Sequence, residues 1–192
     1  MSKVLEWLLE EDLANPGARY FALRGLLQRP SDDPEVASAH RAVMKHGQVP
    51  AILAAQNPPG YWEKPGTGYY PKYRGTVWSV IYLAQLGAEG NDPRVRAAGD
   101  YLLSNSLTSA GLFSLNGTAS GNIYCLAGNL GAALLDLGFG DDERLVRAME
   151  LMARFVTGEG IAVGGDRKVP LRYLKSGACG PGFLCSANNK LP

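Results

Sequence analysis

Residues able to do chemistry are few in this chain and widely spread. The carboxylate pairs Asp32-Asp33 and Asp141-Asp142 each stand just before an apolar-periodic run. A carboxylate there caps a helix and meets the positive end of its dipole. The two histidines, His40 and His46, are six residues apart. A helical metal pair needs a separation of about four, so they read as surface side chains. No glycine-rich run matches a phosphate cradle or a dinucleotide fingerprint. No catalytic residue is assigned.

Two sets remain. Tyr69, Tyr70, Tyr73 and Trp78 border one apolar run, Tyr82 lies inside it, and Tyr124 opens the next. Such rings can seat an apolar ligand or cover a core, and both readings stand. Lys72 and Arg74, beside Tyr73, can meet an anion or remain solvated. The second set is Cys125, Cys179 and Cys185. An odd number of cysteines fits a reducing compartment better than a disulfide framework. Buried, they would act as small hydrophobes.

Helices must position these residues, because alternating β-branched runs are almost absent. Three stretches share one plan: RYFALRGLLQRPSDDPEVASAHRAVM, WSVIYLAQLGAEGNDPRVRAAGDYLL and LGAALLDLGFGDDERLVRAMELMARF. Each has an apolar helical run, a turn with glycine or proline, an aspartate, and a second helical run. Asp92 and Asp142 are 50 residues apart, Gly87 and Gly138 are 51 apart, and Asp33 precedes Asp92 by 59. Asp33-Pro34 and Asp92-Pro93 each offer an N-cap followed by a proline suited to the first turn. The runs 75–87 and 121–140 carry no charge except Asp136, so they must be buried on most sides. Their partners, around 93–105 and 142–157, have one charged and one apolar face. The expectation is an all-α protein with helical pairs near 17–56, 75–105 and 121–157. Residues 1–157 would form a hairpin-repeat domain. Residues 158–192 would form a glycine-rich tail packed on the third repeat, with a short helix near 168–176.

The chain has 192 residues, 46% apolar and 19% charged, enough for a sizeable core. Its net charge of +1 offers nothing to a nucleic acid or an anionic membrane. The opening MSKVLEWLLEEDL places acids after a short apolar run, unlike a signal peptide. The longest apolar stretch, 123–137, is too short to span a bilayer. A cytoplasmic protein without a membrane span is expected.

The stretch ILAAQNPPGYW, residues 52–62, sets Gln56, Gly60 and Trp62 in the spacing Q-x-x-x-G-x-W. It resembles the QW repeat of the squalene-cyclase and prenyltransferase superfamily, whose fold is an α/α toroid. Glutamine can bond backbone at a helix end, glycine can reverse the chain, and tryptophan can fill the gap between repeats. A degenerate copy ends at Gly111-Leu112-Phe113. The segments PKYRGTVWSVIYLAQLGAEGNDPRVRAA and CLAGNLGAALLDLGFGDDERLVRA are similar to a poorly characterised bacterial squalene-cyclase-like family. The likeness covers roughly 5–157.

The resemblance implies toroid-like stacked hairpins, about three repeats, hence a half ring. Members of the family continue through more hairpins, so the chain would be a truncated member, or its open edge would be covered by a second copy in a homodimer, a partner chain or the tail. Tyr69, Tyr73, Trp78, Tyr82 and Tyr124 would then line a site for an apolar, isoprenoid-like small molecule. Cys125, in a C-L-x-G-N motif, and Cys179 and Cys185 correspond to ligands of one zinc ion in the family. Ser186 and Phe183 stand where its histidines are expected, which removes imidazole ligands. The cyclase acid motif D-x-D-D and the diphosphate motif D-D-x-x-D are both missing. A non-catalytic binding module, for an apolar ligand or a protein, is therefore preferred to a terpene-cyclase or prenyltransferase-like enzyme.

Overall fold

The structure, a computed structural model, describes residues 2–118 and 121–157. Those residues are helical, with no β-strand among them and three isolated antiparallel bridges. The helices are α1 (Lys3–Leu9), α2 (Pro16–Phe21), a π-helical stretch (Ala22–Leu26), α3 (Pro34–Lys45), α4 (Gln48–Ala54), α5 (Thr76–Gln85), α6 (Pro93–Asn105), α7 (Tyr124–Asp136) and α8 (Glu143–Thr157). No helix among the described residues is long and apolar enough to cross a membrane.

The helix starts follow from capping chemistry. The Asp33 carboxylate accepts from the backbone N–H of Glu35 and Val36, and Asp92 accepts from that of Arg94. Asp142 accepts from the N–H of Arg144 at 2.9 Å. Two helix ends share one geometry. Gly87 and Gly138 both sit at φ 80, and the next residue's N–H reaches back to Leu83 and Leu134 respectively.

Burial separates the two helix types. α5 buries seven of its ten residues, whereas α6 buries six of thirteen, along one face. α5 packs against α6 and α7, α7 packs against α8, and α2 packs against α3. One core cluster runs from Val43 through Trp62 and Val80 to Phe139 and Ala148. A smaller one joins Leu23, Val36 and Ala39, with Leu9 against it.

The first pair is less regular than the expected run over 17–56. α3 stops at Lys45, and Gly47, at φ 70, turns the chain into the separate helix α4. A side chain at 47 would meet Pro16 Cδ at 2.9 Å, so the break also lets α2 begin close by. α1 and the π-helical stretch were not anticipated. The tail at 158–192 and its short helix lie outside the described residues.

Candidate functional site

The site grows from the loop that leads into α5. Trp78, in the first turn of α5, donates its indole N–H to the Tyr69 carbonyl at 2.9 Å. That bond holds the loop over the helix start. Tyr69 then lies 5.5 Å from Trp78 and edge-on to Tyr70 at 4.8 Å, and Tyr73 lies 4.8 Å from Trp78. These are spacings at which aromatic rings attract. Tyr73 takes a left-handed backbone at φ 67, which costs a bulky residue about 1–3 kcal/mol. Tyr70 and Tyr73 are nonetheless 55% and 58% exposed. The result is a patch whose outer rings, Tyr70 and Tyr73, face solvent while Tyr69, half-buried, packs against the core.

Charge around the patch is organised. The Lys72 ammonium sits 5.0 Å from the centre of the Tyr73 ring, a cation–π contact. The Tyr73 hydroxyl raises the pKa of Lys72 above its ordinary value, which keeps it cationic. Arg74 is committed: its Nε and a terminal nitrogen donate to Glu63 Oε1 at 2.9 and 2.6 Å. Glu63, the acid bonded to this loop, is thus ion-paired.

Two helix-cap acids are held as anions. Two nitrogens of Arg144 and a backbone N–H donate to Asp142, and its carboxyl falls to about 2. Arg94 lowers Asp92 in the same way. Such a group holds no proton to give at neutral pH. The capping reading of Asp33 and Asp142 holds.

The expected ligand residues part company. Tyr69, Tyr73 and Trp78 converge, and Tyr82 follows Trp78 by one turn on α5, half-buried. Tyr124 is buried at the start of α7, on the face that also buries Ala127, Gly131 and Leu134. Cys125, the next residue, is exposed. Cys179 and Cys185 lie outside the described residues, and among the described residues no three His, Cys, Asp or Glu converge as a metal group.

None of the aromatic set lines the cavity of about 150 Å³ among Phe21, Val43, His46, Val49 and Leu86. That volume is below the roughly 300 Å³ at which small-molecule pockets begin. A groove of about 490 Å³ lies elsewhere, between the end of α6, residues 107–111 and Arg144 and Arg147 of α8.

His40 departs from the sequence reading. It is half-buried: its ring stacks flat on Tyr20, 4.4 Å between centroids, and its Nε2 lies 3.1 Å from the Gly87 carbonyl. It ties the first pair to the turn of the second. Arg96 does the same for the third, donating to the Gly138 carbonyl at 3.1 Å. His46 is exposed, as expected.

The Q-x-x-x-G-x-W residues act together. Gln56 donates its amide to the Arg94 carbonyl at 2.9 Å. Trp62 is 4% exposed; its indole N–H donates to the Ile52 carbonyl at 2.7 Å and its backbone N–H to Thr76 Oγ1 at 3.1 Å. The glutamine bonds a carbonyl inside the first turn of α6, where an intrahelical donor is already supplied. It therefore adds a bond to the helix and does not fill an orphan group. Compared with known proteins, the chain matches no protein-family model, no curated protein and no solved structure.

Proposed function

We propose that the chain is a helical-hairpin repeat module of the α/α toroid kind that binds an apolar small molecule and performs no catalysis. The observation that carries this reading is the patch of exposed Tyr70 and Tyr73 beside half-buried Tyr69 and Trp78, kept open at the cost of a left-handed tyrosine. Ring faces beside a cationic Lys72 and an ion-paired Glu63 favour contact over reaction. An isoprenoid chain suits them, being apolar, flexible and branched. Lys72, at the rim, would meet a polar head group on such a ligand.

Zinc enters this reading as a structural ion. Cys125, exposed at the second position of α7, would give one thiolate, which a helix N-terminus favours. Cys179 and Cys185 would give two more.

The test is a titration with a fifteen-carbon isoprenol, followed by tryptophan emission in a variant whose Trp7 and Trp62 are replaced by phenylalanine. Saturable quenching of Trp78 that Tyr73→Ala abolishes is expected. Quenching that survives Tyr73→Ala, or none up to the solubility limit, would reject the patch as the binding site.

A further inference from the structure

The bridge between Ser114 and Asn122 closes a polar loop ahead of α7. The loop holds the only asparagine of the chain that precedes a glycine, Asn116-Gly117. Thr118 binds the Asn116 amide oxygen twice: its N–H donates at 3.0 Å and its hydroxyl at 2.8 Å. A backbone N–H can only donate, so the atom it meets is the oxygen and not the amide nitrogen. The Ser114 hydroxyl lies 3.0 Å from the same oxygen and shares its single proton with the Thr118 carbonyl at 2.6 Å. Gly121 makes room for the group, because a Cβ there would lie 2.0 Å from Asn116 Oδ1.

Gly117 supplies the other half. It is exposed, at φ 78, and its N–H donates to no described residue. That proton is open to a base in solvent. No Cβ at 117 obstructs the nitrogen as it turns back on the neighbouring side chain. Attack on Asn116 Cγ closes a five-membered ring within the chain, so proximity is built into the sequence. Negative charge then collects on Asn116 Oδ1. Donors already aimed at that oxygen bond it more strongly as the charge grows. The Ser114 proton can swing from the Thr118 carbonyl to join them.

We infer that Asn116-Gly117 is a self-modification site, at which the loop deamidates Asn116 by serving as its own oxyanion hole. Gly117 N, its proton taken by a base in solvent, bonds to Asn116 Cγ. The Cγ–Nδ2 bond then breaks, and the nitrogen leaves as ammonia with a proton drawn from water. Water opens the cyclic imide at either carbonyl and leaves aspartate or isoaspartate at 116. Aspartate adds a negative charge on the Thr118 donors. Isoaspartate lengthens the main chain by one methylene beside Leu115, whose carbonyl Thr67 Oγ1 holds at 2.7 Å. The reaction needs no ligand on the aromatic patch, so the isoprenol titration can fail while the modification stands.

The experiment ages the full chain in mildly alkaline buffer beside an unfolded reference, a synthetic peptide of residues 112–123. Peptide mass spectrometry follows asparagine, aspartate and isoaspartate at 116. Conversion in the folded chain should run about tenfold faster than in the peptide, the effect of one hydrogen bond to a developing charge. Thr118→Val keeps the branched shape, removes the hydroxyl, and should slow the folded chain about tenfold. Ser114→Ala should slow it too, with circular dichroism to check that both variants fold. If either unfolds, the ratio of chain to peptide decides alone. Asparagine that persists in the folded chain while the peptide converts, equal rates in the two, or rates indifferent to both substitutions would each overturn the inference.

Discussion

The turn at 56–62 and the turn at 106–113 both carry the chain from one helical pair towards the next, and each closes on one antiparallel bridge, Asn57 with Tyr61 and Leu107 with Phe113. Each buries an aromatic ring two residues beyond a glycine of positive φ: Trp62 after Gly60, Phe113 after Gly111. They are fastened differently. The first turn bonds through its own motif, by the Trp62 indole, the Gln56 amide and the bare face of Gly60. In the second, Leu107 stands where Gln56 stands and phenylalanine offers no N–H. Side chains outside the motif take over: Ser106 Oγ donates to the Thr67 carbonyl at 2.6 Å and Thr67 Oγ1 to the Leu115 carbonyl at 2.7 Å. Ring burial is the shared requirement, and the polar fastening is exchangeable.

The largest effects should come from the rings. Trp62→Ala and Phe113→Ala should each cost about 3–5 kcal/mol in urea unfolding, the range for a core aromatic. Trp62→Phe sharpens the comparison. It keeps a ring but removes the indole donor from the Ile52 carbonyl, which retains the Ala55 N–H, so the cost should be that of one hydrogen bond, about 0.5–1.5 kcal/mol. If Trp62→Phe is silent, the indole bond is incidental and the two turns are equivalent.

The glycines should differ next. A Cβ on Gly60, at φ 129, would lie 2.4 Å from the Ala97 carbonyl oxygen in α6, a backbone atom that cannot swing aside. A Cβ on Gly111, at φ 86, meets nothing within 4 Å. Gly60→Ala should therefore cost about 3 kcal/mol, strain and overpacking each giving roughly 1–3. Gly111→Ala should cost about 1 kcal/mol, from strain alone. Equal losses would mean that the contact of Gly60 with α6 does not carry the difference.

The all-α class and the pairs at 75–105 and 121–157 were legible because helix periodicity, aspartate caps and the glycines at 87 and 138 agree. The first pair was not. The break at Gly47 answers to neighbours, Pro16 among them, that no local pattern contains. Tyr69, Tyr73 and Trp78 could be grouped because one loop runs into one helix start. Tyr124 could not be separated from that group by the sequence alone, although its spacing to Ala127, Gly131 and Leu134 marks the core face of α7. The His40 to Gly87 link joins residues 47 apart and leaves no local signal.

Gln56 should give the smallest effect and the finest test of the comparison. Gln56→Leu installs the residue type that the second turn uses at the same place. The Arg94 carbonyl keeps its intrahelical donor, so nothing buried is orphaned, and the loss should be about 0.5–1 kcal/mol, the lower part of the range for one hydrogen bond. The contact of Gly60 with Ala97 and Ala98 lies one turn further along α6 from Arg94, so the two fastenings share a helix and should couple. In a double-mutant cycle, Gln56→Leu should cost less once Gly60→Ala has pushed the turn away from α6. A strictly additive cycle would show the glutamine bond and the glycine contact acting independently, and a loss at Gln56 matching that at Gly60 would make the glutamine the principal rivet of the first turn.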